Sequence, residues 1–166
     1  MTASMAFADA LCALNTMKAE GVIEEYAVAG ALALVFWTEP VPTYDLDVLV
    51  FLPPSVGSVV SLESIYRWTS ERGYLAEKEH VIIEGVPTQF LPSPNDLADE
   101  AIETAETLDY DGVPARVVLP EYLVALYLLP EARTPKRRER AAMLLEWPGL
   151  KRERLDAILD RHGLSL

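Results

Sequence analysis

Apolar residues recur near the start of the chain at Met5, Ala8, Leu11, Cys12, Leu14 and Met17, a spacing that marks one face of a helix over residues 5–20 before Gly21. Cys12 falls on that face and is expected in the core. Glu25 to Ala29 is a short apolar run that reads as a strand. Gly30 breaks it, and Ala31-Leu32-Ala33-Leu34 has high helix propensity, so a short helix to about Trp37 is expected. Glu39-Pro40-Val41-Pro42 is a loop, because each proline removes a donor and restricts the residue before it. Thr43 to Leu52 reads as the clearest strand, stopped by Pro53-Pro54.

Helical spacing returns over Ser61 to Arg72, ending at Gly73. Leu75 to Glu84 and Pro87 to Leu91 then predict two strands around a Gly85-Val86 turn. A helix over Asp96 to Leu108 leads to a second hairpin, 108–110 with 113–119 around Asp111-Gly112. From Pro120 the pattern is helical throughout, at Glu121–Leu129, Pro135–Leu145 and Arg152–His162. The fold class is therefore α+β: a mixed β-sheet flanked by helices over residues 1–119, with a small C-terminal helical segment, 120–166, packed on it.

Within the strand of residues 43–52, Asp45-Leu46-Asp47 places two carboxylates where burial is expected. Residues two apart on a strand share a face, about 6.6 Å apart along the chain. An unpartnered carboxylate is costly to bury, so such a pair calls for a cation, a metal or water. Two carboxylates at this separation suit one hard divalent ion, Mg²⁺ or Mn²⁺, whose remaining positions go to water and phosphate oxygens. Gly30 lets a backbone approach a phosphate closely, and the N–H groups opening the following helix face an anion favourably. Gly30 and Ala31 are the candidate phosphate cradle.

Charge narrows the partners. The net charge is −12, which argues against general DNA binding. Residues 1–132 hold 5 basic and 21 acidic side chains, whereas 133–166 hold 9 basic and 5 acidic, so the tail is a basic patch on an acidic body. A solvated helix face is the plain reading of that patch. The single cysteine allows no internal disulfide and no cysteine-based zinc site, and fits a reducing, cytoplasmic setting. No basic region precedes the first apolar residues, and the longest apolar run, Tyr26 to Trp37, is 12 residues against the roughly 20 needed to span a membrane. There is no Gly-x-Ser-x-Gly elbow for a serine hydrolase. Trp37, Trp68, Trp147, Tyr66 and Tyr74 are candidates for stacking on a base, though packing is the commoner use of such rings. His162, before Gly163, suits a helix C-terminus.

The order Gly30-Ala31, thirteen residues, Asp45-Leu46-Asp47 resembles the signature of the nucleotidyltransferase superfamily with the DNA polymerase β-type fold. Tyr26-Ala27-Val28-Ala29-Gly30-Ala31, Thr43-Tyr44-Asp45-Leu46-Asp47-Val48, Val86-Pro87-Thr88-Gln89-Phe90-Leu91-Pro92, Pro120-Glu121-Tyr122-Leu123-Val124-Ala125-Leu126 and Arg133-Thr134-Pro135-Lys136-Arg137-Arg138 are similar to small bacterial minimal nucleotidyltransferase-like proteins, relatives of abortive-infection and toxin-antitoxin toxins. The resemblance spans roughly residues 20–165. It implies transfer of a nucleoside monophosphate from a nucleoside triphosphate to a hydroxyl or phosphate acceptor, on a protein partner, a tRNA-like molecule or a small molecule. Asp45 and Asp47 would hold Mg²⁺ or Mn²⁺, Gly30 and Ala31 would lie under the phosphates, and Thr43 would hydrogen-bond near the metal. Arg133, Lys136, Arg137, Arg138 and Arg140 would supply cations to the triphosphate or the acceptor.

Three positions depart from the family pattern. Gln89 stands where active members carry a third carboxylate that activates the acceptor, and an amide takes no proton. With Gly85-Val86 as the turn, Ile82 pairs with Gln89, which places Glu84 and His80 on its face as substitutes. Ala31 stands where relatives have serine or glycine, and Arg137 where some have aspartate. The alternative is a catalytically degenerate member that acts as a binding or regulatory module.

Overall fold

The structure, a computed structural model, describes residues 3–38, 42–54 and 61–166. In chain order the elements are α1 (Ala3–Ala19), β1 (Glu25–Ala29), α2 (Gly30–Trp37), β2 (Leu46–Phe51), α3 (Glu63–Glu71), β3 (Leu75–Glu77), β4 (His80–Ile83), β5 (Val86–Pro92), α4 (Asp96–Glu103), β6 (Glu106–Tyr110), β7 (Val113–Val117), α5 (Pro120–Leu128), a 3₁₀ turn (Pro130–Ala132), α6 (Pro135–Glu146) and α7 (Arg152–His162). Among the expected loop residues, Glu39, Pro40 and Val41 lie outside the described residues.

The strands form one mixed sheet in the order β3-β4-β5-β2-β1-β7-β6. β1 runs antiparallel to β2, while β2–β5 and β1–β7 are parallel. The pleat sends Tyr26, Val28, Val48 and Val50 to one face, where α1 packs and the Tyr26 hydroxyl donates to Asn15 Oδ1 at 2.7 Å. Ala27, Ala29, Asp47 and Leu49 turn to the opposite face, covered by α4 and α5. This is the expected α+β class with a seven-stranded sheet.

Several boundaries differ from those read along the chain. The strand of 43–52 begins at Leu46, because β1 stops pairing at Ala29↔Asp47 and the next residue along β5, beyond Leu46↔Thr88, is Pro87, which has no N–H to give. The run Leu75 to Glu84 folds back on itself, with Lys78 at φ +57 in the turn and Glu77 paired with His80. The following turn is Glu84-Gly85, not Gly85-Val86, since Ile83 pairs with Val86 and both turn residues have positive φ, +50 and +81. The helix over 96–108 ends at Glu103, because residues 106–110 pair with β7. Cys12 is exposed rather than core: the buried face of α1 is centred on Phe7, Leu11, Leu14 and Met17. Among the described residues no helix is long and apolar enough to cross a membrane.

α5 is buried nearly all round and carries Glu121, which is 1% exposed. That carboxylate accepts from Arg154 Nη1 at 2.9 Å and from the Lys151 N–H at 3.3 Å, which fastens α7 to α5. A second anchor is Glu100 on α4, which accepts from Arg161 at 2.6 Å and from the Tyr122 hydroxyl at 3.1 Å and meets the His162 ring. Arg161 and His162 occupy the last turn of α7, where a helix dipole favours cations, and Gly163 ends it at φ +63.

Burial alone would raise the Glu100 carboxyl, but hydrogen bonds from Arg161, His162 and Tyr122 outweigh it and hold the group below its ordinary range. A carboxyl depressed on folding stabilises the native state above its unfolded value, about 4.3, and loses that contribution as pH falls through the folded value. Glu100→Gln is therefore expected to lower stability at pH 7 and to cost much less at pH 3. Urea titrations with equal losses at both pH values would contradict this assignment.

Candidate active site

β2 sits between β1 and β5, so Asp47 has Ala29 on one side and Gln89 on the other. Its carboxylate leaves the sheet where β1 ends and α2 begins. Gly30 opens α2 at φ +62, and a methyl group built there would lie 2.4 Å from Asp47 Oδ2. The position thus requires glycine twice, for its backbone angle and for the carboxylate seated against it. Ala29 at the N-cap is extended and its methyl side chain gives no cap to the first-turn N–H groups of α2, which include that of Ala31. They are available to an anion.

Asp45 lies just before β2, with its side chain 55% exposed and Oδ2 3.9 Å from His80 Nε2. Thr43 donates its hydroxyl to the Asp45 carbonyl at 3.1 Å, which fixes the entry to the strand. One step beyond the last β4–β5 pair, Val81↔Thr88, His80 and Gln89 stand level. Glu84 does not: the shifted turn puts it against Tyr74, whose hydroxyl donates to Oε1 at 2.6 Å. The expected Ile82–Gln89 pair is replaced by Ile82↔Pro87 for the same reason.

Burial and then Asp45 raise the Asp47 carboxyl above its ordinary range, opposed by His80, Arg140 and Arg137. The charged form is therefore short of positive charge. Two carboxylates and the Gln89 amide oxygen are hard donors, which fit a divalent ion of the Mg²⁺ kind. Among the described residues no three His, Cys, Asp or Glu side chains gather as a closed metal set. Asp45 and Asp47 could hold such an ion only as a partial set, completed by water and phosphate oxygens.

Asp47 also lines a cavity of about 380 Å³ between the sheet, α4, α5 and the start of α6. Leu49, Leu91, Leu123 and Leu126 form its apolar walls, and Arg137 and Arg140 enter from α6. Of the five basic residues singled out in the tail, these two reach the cavity lining; Arg133, Lys136 and Arg138 are exposed and do not. Arg133 instead donates through Nε to the Leu128 carbonyl at 3.1 Å. A sequence signal existed: Ala141 and Leu144 mark the buried stripe of α6, and stepping back by three and four residues along it leads to Arg140 and Arg137. Tyr127 lines the same cavity and gave no local signal. Its hydroxyl is buried with no acceptor for its proton among the described residues; burial raises it, and the charge and hydrogen bonding of the Arg140 guanidinium oppose that. None of the five candidate stacking rings borders this cavity. Trp37 donates to the Val118 carbonyl at 2.8 Å and tilts against Trp147, while Trp68 packs against Tyr74 and under Arg72.

A carboxyl raised on folding costs stability as pH rises from its unfolded value, about 3.9, through its folded one. Asp47→Asn is expected to raise the melting temperature at pH 7, with the gain vanishing near pH 3 where both forms are neutral. Gly30→Ala is expected to cost about 1–3 kcal/mol, and less in an Asp47→Ala background, where the clash is gone and the backbone strain remains. Additive losses in that double-mutant cycle, read by urea denaturation, would show that the two groups do not press on each other.

No protein-family model and no curated protein sequence matches the chain. Its fold, however, recurs in solved structures. An antigenic nucleotidyltransferase-like protein from Paracoccidioides brasiliensis is 14% identical, with 93% of this chain and 86% of that one aligned at a TM-score of 0.53. ANT(2″)-Ia in complex with adenylyl-2″-tobramycin is 15% identical over 93% of this chain and 95% of its own, at 0.56. The solution structure of the same antibiotic-resistance factor aligns over 98% of this chain at 0.56. Over nearly its whole length, this chain shares the fold of these nucleotidyltransferase-like structures.

Proposed function

We propose that the protein is a metal-dependent nucleotidyltransferase that moves a nucleoside monophosphate from a nucleoside triphosphate to an acceptor. The observation that carries this reading is the Asp47 carboxylate held against the Gly30 backbone with Asp45 beside it. The first-turn N–H groups of α2 at Gly30 and Ala31 receive the terminal phosphates. Asp45 and Asp47 would hold Mg²⁺ or Mn²⁺, whose charge would offset that of the leaving pyrophosphate. Thr43 and the β1–β2 pairing orient the two carboxylates, and the basic residues of α6 add positive potential on the same side. The fold neighbour that holds an adenylylated small molecule supports a small-molecule acceptor, with RNA and protein as the other classes. The sequence resemblance supports a toxin-antitoxin setting, and the single cysteine a reducing, cytoplasmic one.

A second reading has one specific support. Gln89 beside Asp47, with Ala31 after Gly30, removes groups that a hydroxyl-directed transfer would use. A fold that binds nucleotide without turnover would then serve as a regulatory module.

Calorimetric titration of ATP, CTP, GTP and UTP is expected to give binding to at least one triphosphate that needs Mg²⁺ or Mn²⁺ and is lost in Asp47→Ala. Absence of metal-assisted binding to all four would sink the main reading. Labelling of an acceptor in lysate by a radiolabelled triphosphate, abolished by Asp45→Asn, would exclude the module.

A further inference from the structure

We infer that the acceptor is a preformed oxyanion, a carboxylate or phosphate monoester carried on a compact apolar body, bound in the cavity between the sheet, α4 and α5. The inference rests on the nucleotidyl-transfer reading and names its substrate class. Three independent features lead to it.

The first is the chemistry beside Asp47, where a hydroxyl nucleophile would need a proton acceptor. Gln89 beside Asp47 cannot take a proton, Glu84 is engaged by Tyr74, and the His80 ring is turned to Asp45, 3.9 Å away. A carboxylate or phosphate monoester is already ionised at neutral pH and needs no base.

The second is charge. Arg137 and Arg140 line the cavity from one face of α6; Arg137, exposed at its edge, gives Nη1 to the Ala132 carbonyl at 3.2 Å, and among the described residues neither arginine has a carboxylate within 4.0 Å. A guanidinium presents a planar fork that matches a carboxylate or phosphate. Glu131, exposed at the lining, and Asp47 are the opposing charges, and a divalent ion on Asp45 and Asp47 tips the sum positive.

The third is shape. Leu49, Leu91, Leu123 and Leu126 make a recess of about 380 Å³, toward the small end of ligand pockets, which run from ~300 to ~1,000 Å³. The Tyr127 hydroxyl, with the residue 8% exposed, lines this recess beside the Arg140 guanidinium, and among the described residues no group accepts its proton. A buried donor left unpaired costs about 1–3 kcal/mol, which a ligand oxygen would offset. Aliphatic walls and two guanidiniums suit an apolar anion and oppose a polycationic or polyhydroxylated acceptor.

In the transfer, an oxygen of the acceptor anion attacks the α-phosphorus of the triphosphate. The new P–O bond forms as the bond from that phosphorus to the bridging oxygen breaks, and pyrophosphate leaves with the electron pair. No proton changes hands, and the product is a mixed anhydride.

The test has two arms. In the first, the full-length protein without nucleotide is titrated calorimetrically with phenylacetate, phenyl phosphate and neutral 2-phenylethanol. At least one anion is expected to bind tenfold or more tightly than the alcohol, the preferred one identifying carboxylate or phosphate. Arg140→Gln should remove the preference, and Tyr127→Phe should weaken anion binding several-fold with an unchanged circular dichroism spectrum. In the second, pyrophosphate release from triphosphate and Mg²⁺ is expected to rise with the preferred anion and not with the alcohol. Metal-assisted triphosphate binding with no anion preference would overturn the acceptor assignment and leave the transfer reading standing. Anion preference without metal-assisted triphosphate binding would overturn the transfer reading and the acceptor role with it.

Discussion

The Asp47 carboxylate rests against the backbone of Gly30, at a distance that leaves no room for a Cβ. That contact ties together elements separated in sequence. It needs β1 to end at Ala29, because the turn into α2 must begin where the carboxylate rises, and it needs β2 to pair with β1 so that Ala29 lies opposite Asp47. A slip of one residue in that register would send Asp47 into the face packed by α1 and bring Leu46 or Val48 to the helix opening. The apolar residues on alternate positions of β2 therefore hold the carboxylate in place: Leu46, Val48 and Val50 are buried on the side facing α1, and their burial fixes which way Asp47 points.

Holding a carboxylate there has an electrostatic cost that the C-terminal helices reduce. Burial and Asp45 both disfavour the charged Asp47, and the cations that oppose them, Arg140 and Arg137, come from α6. α6 reaches this place through a series of local fixings. Thr134 caps it by accepting from the Arg137 N–H, Arg133 binds the Leu128 carbonyl, and α5 beneath is locked by the Glu121–Arg154 pair. The division between an acidic body and a basic tail has this structural meaning: part of the tail's charge is delivered to one carboxylate, while Arg133, Lys136 and Arg138 remain in solvent.

What could be read along the chain depended on whether the determining contacts were local. Gly30 after an apolar strand, Pro135 opening α6, and Asp111-Gly112 at a hairpin turn all declare themselves within a few residues, and each appears where expected. The β4–β5 turn was legible but misplaced: a two-residue hairpin needs positive φ at both positions, which a β-branched residue such as Val86 resists and Glu84-Gly85 can adopt. The start of β2 was not legible, because it depends on a proline that happens to lie alongside on β5. Cys12 failed for a related reason: it borders the apolar stripe of α1, and which neighbour is buried is decided by where the sheet sits. Tyr127 could not be found at all, since its meaning lies in Arg140 and Asp47, both distant in sequence.

The departures from the family pattern look different once placed around Asp47. Gln89 is its neighbour on β5 and Arg137 is on the cavity wall beyond it. Relative to the pattern, one site loses a negative charge and the other exchanges a negative for a positive one. Each change moves the potential around Asp47 the same way. A third carboxylate beside Asp47 would add to a repulsion that already raises its carboxyl, and a neutral amide avoids that cost. An aspartate at position 137 would face the recess with a second negative group; arginine there faces it with a cation. Taken singly, the substitutions read as losses of catalytic parts. Taken together, they leave an amide and a guanidinium in place of carboxylates around Asp47, a change in the charge of the pocket more than a loss of separate parts.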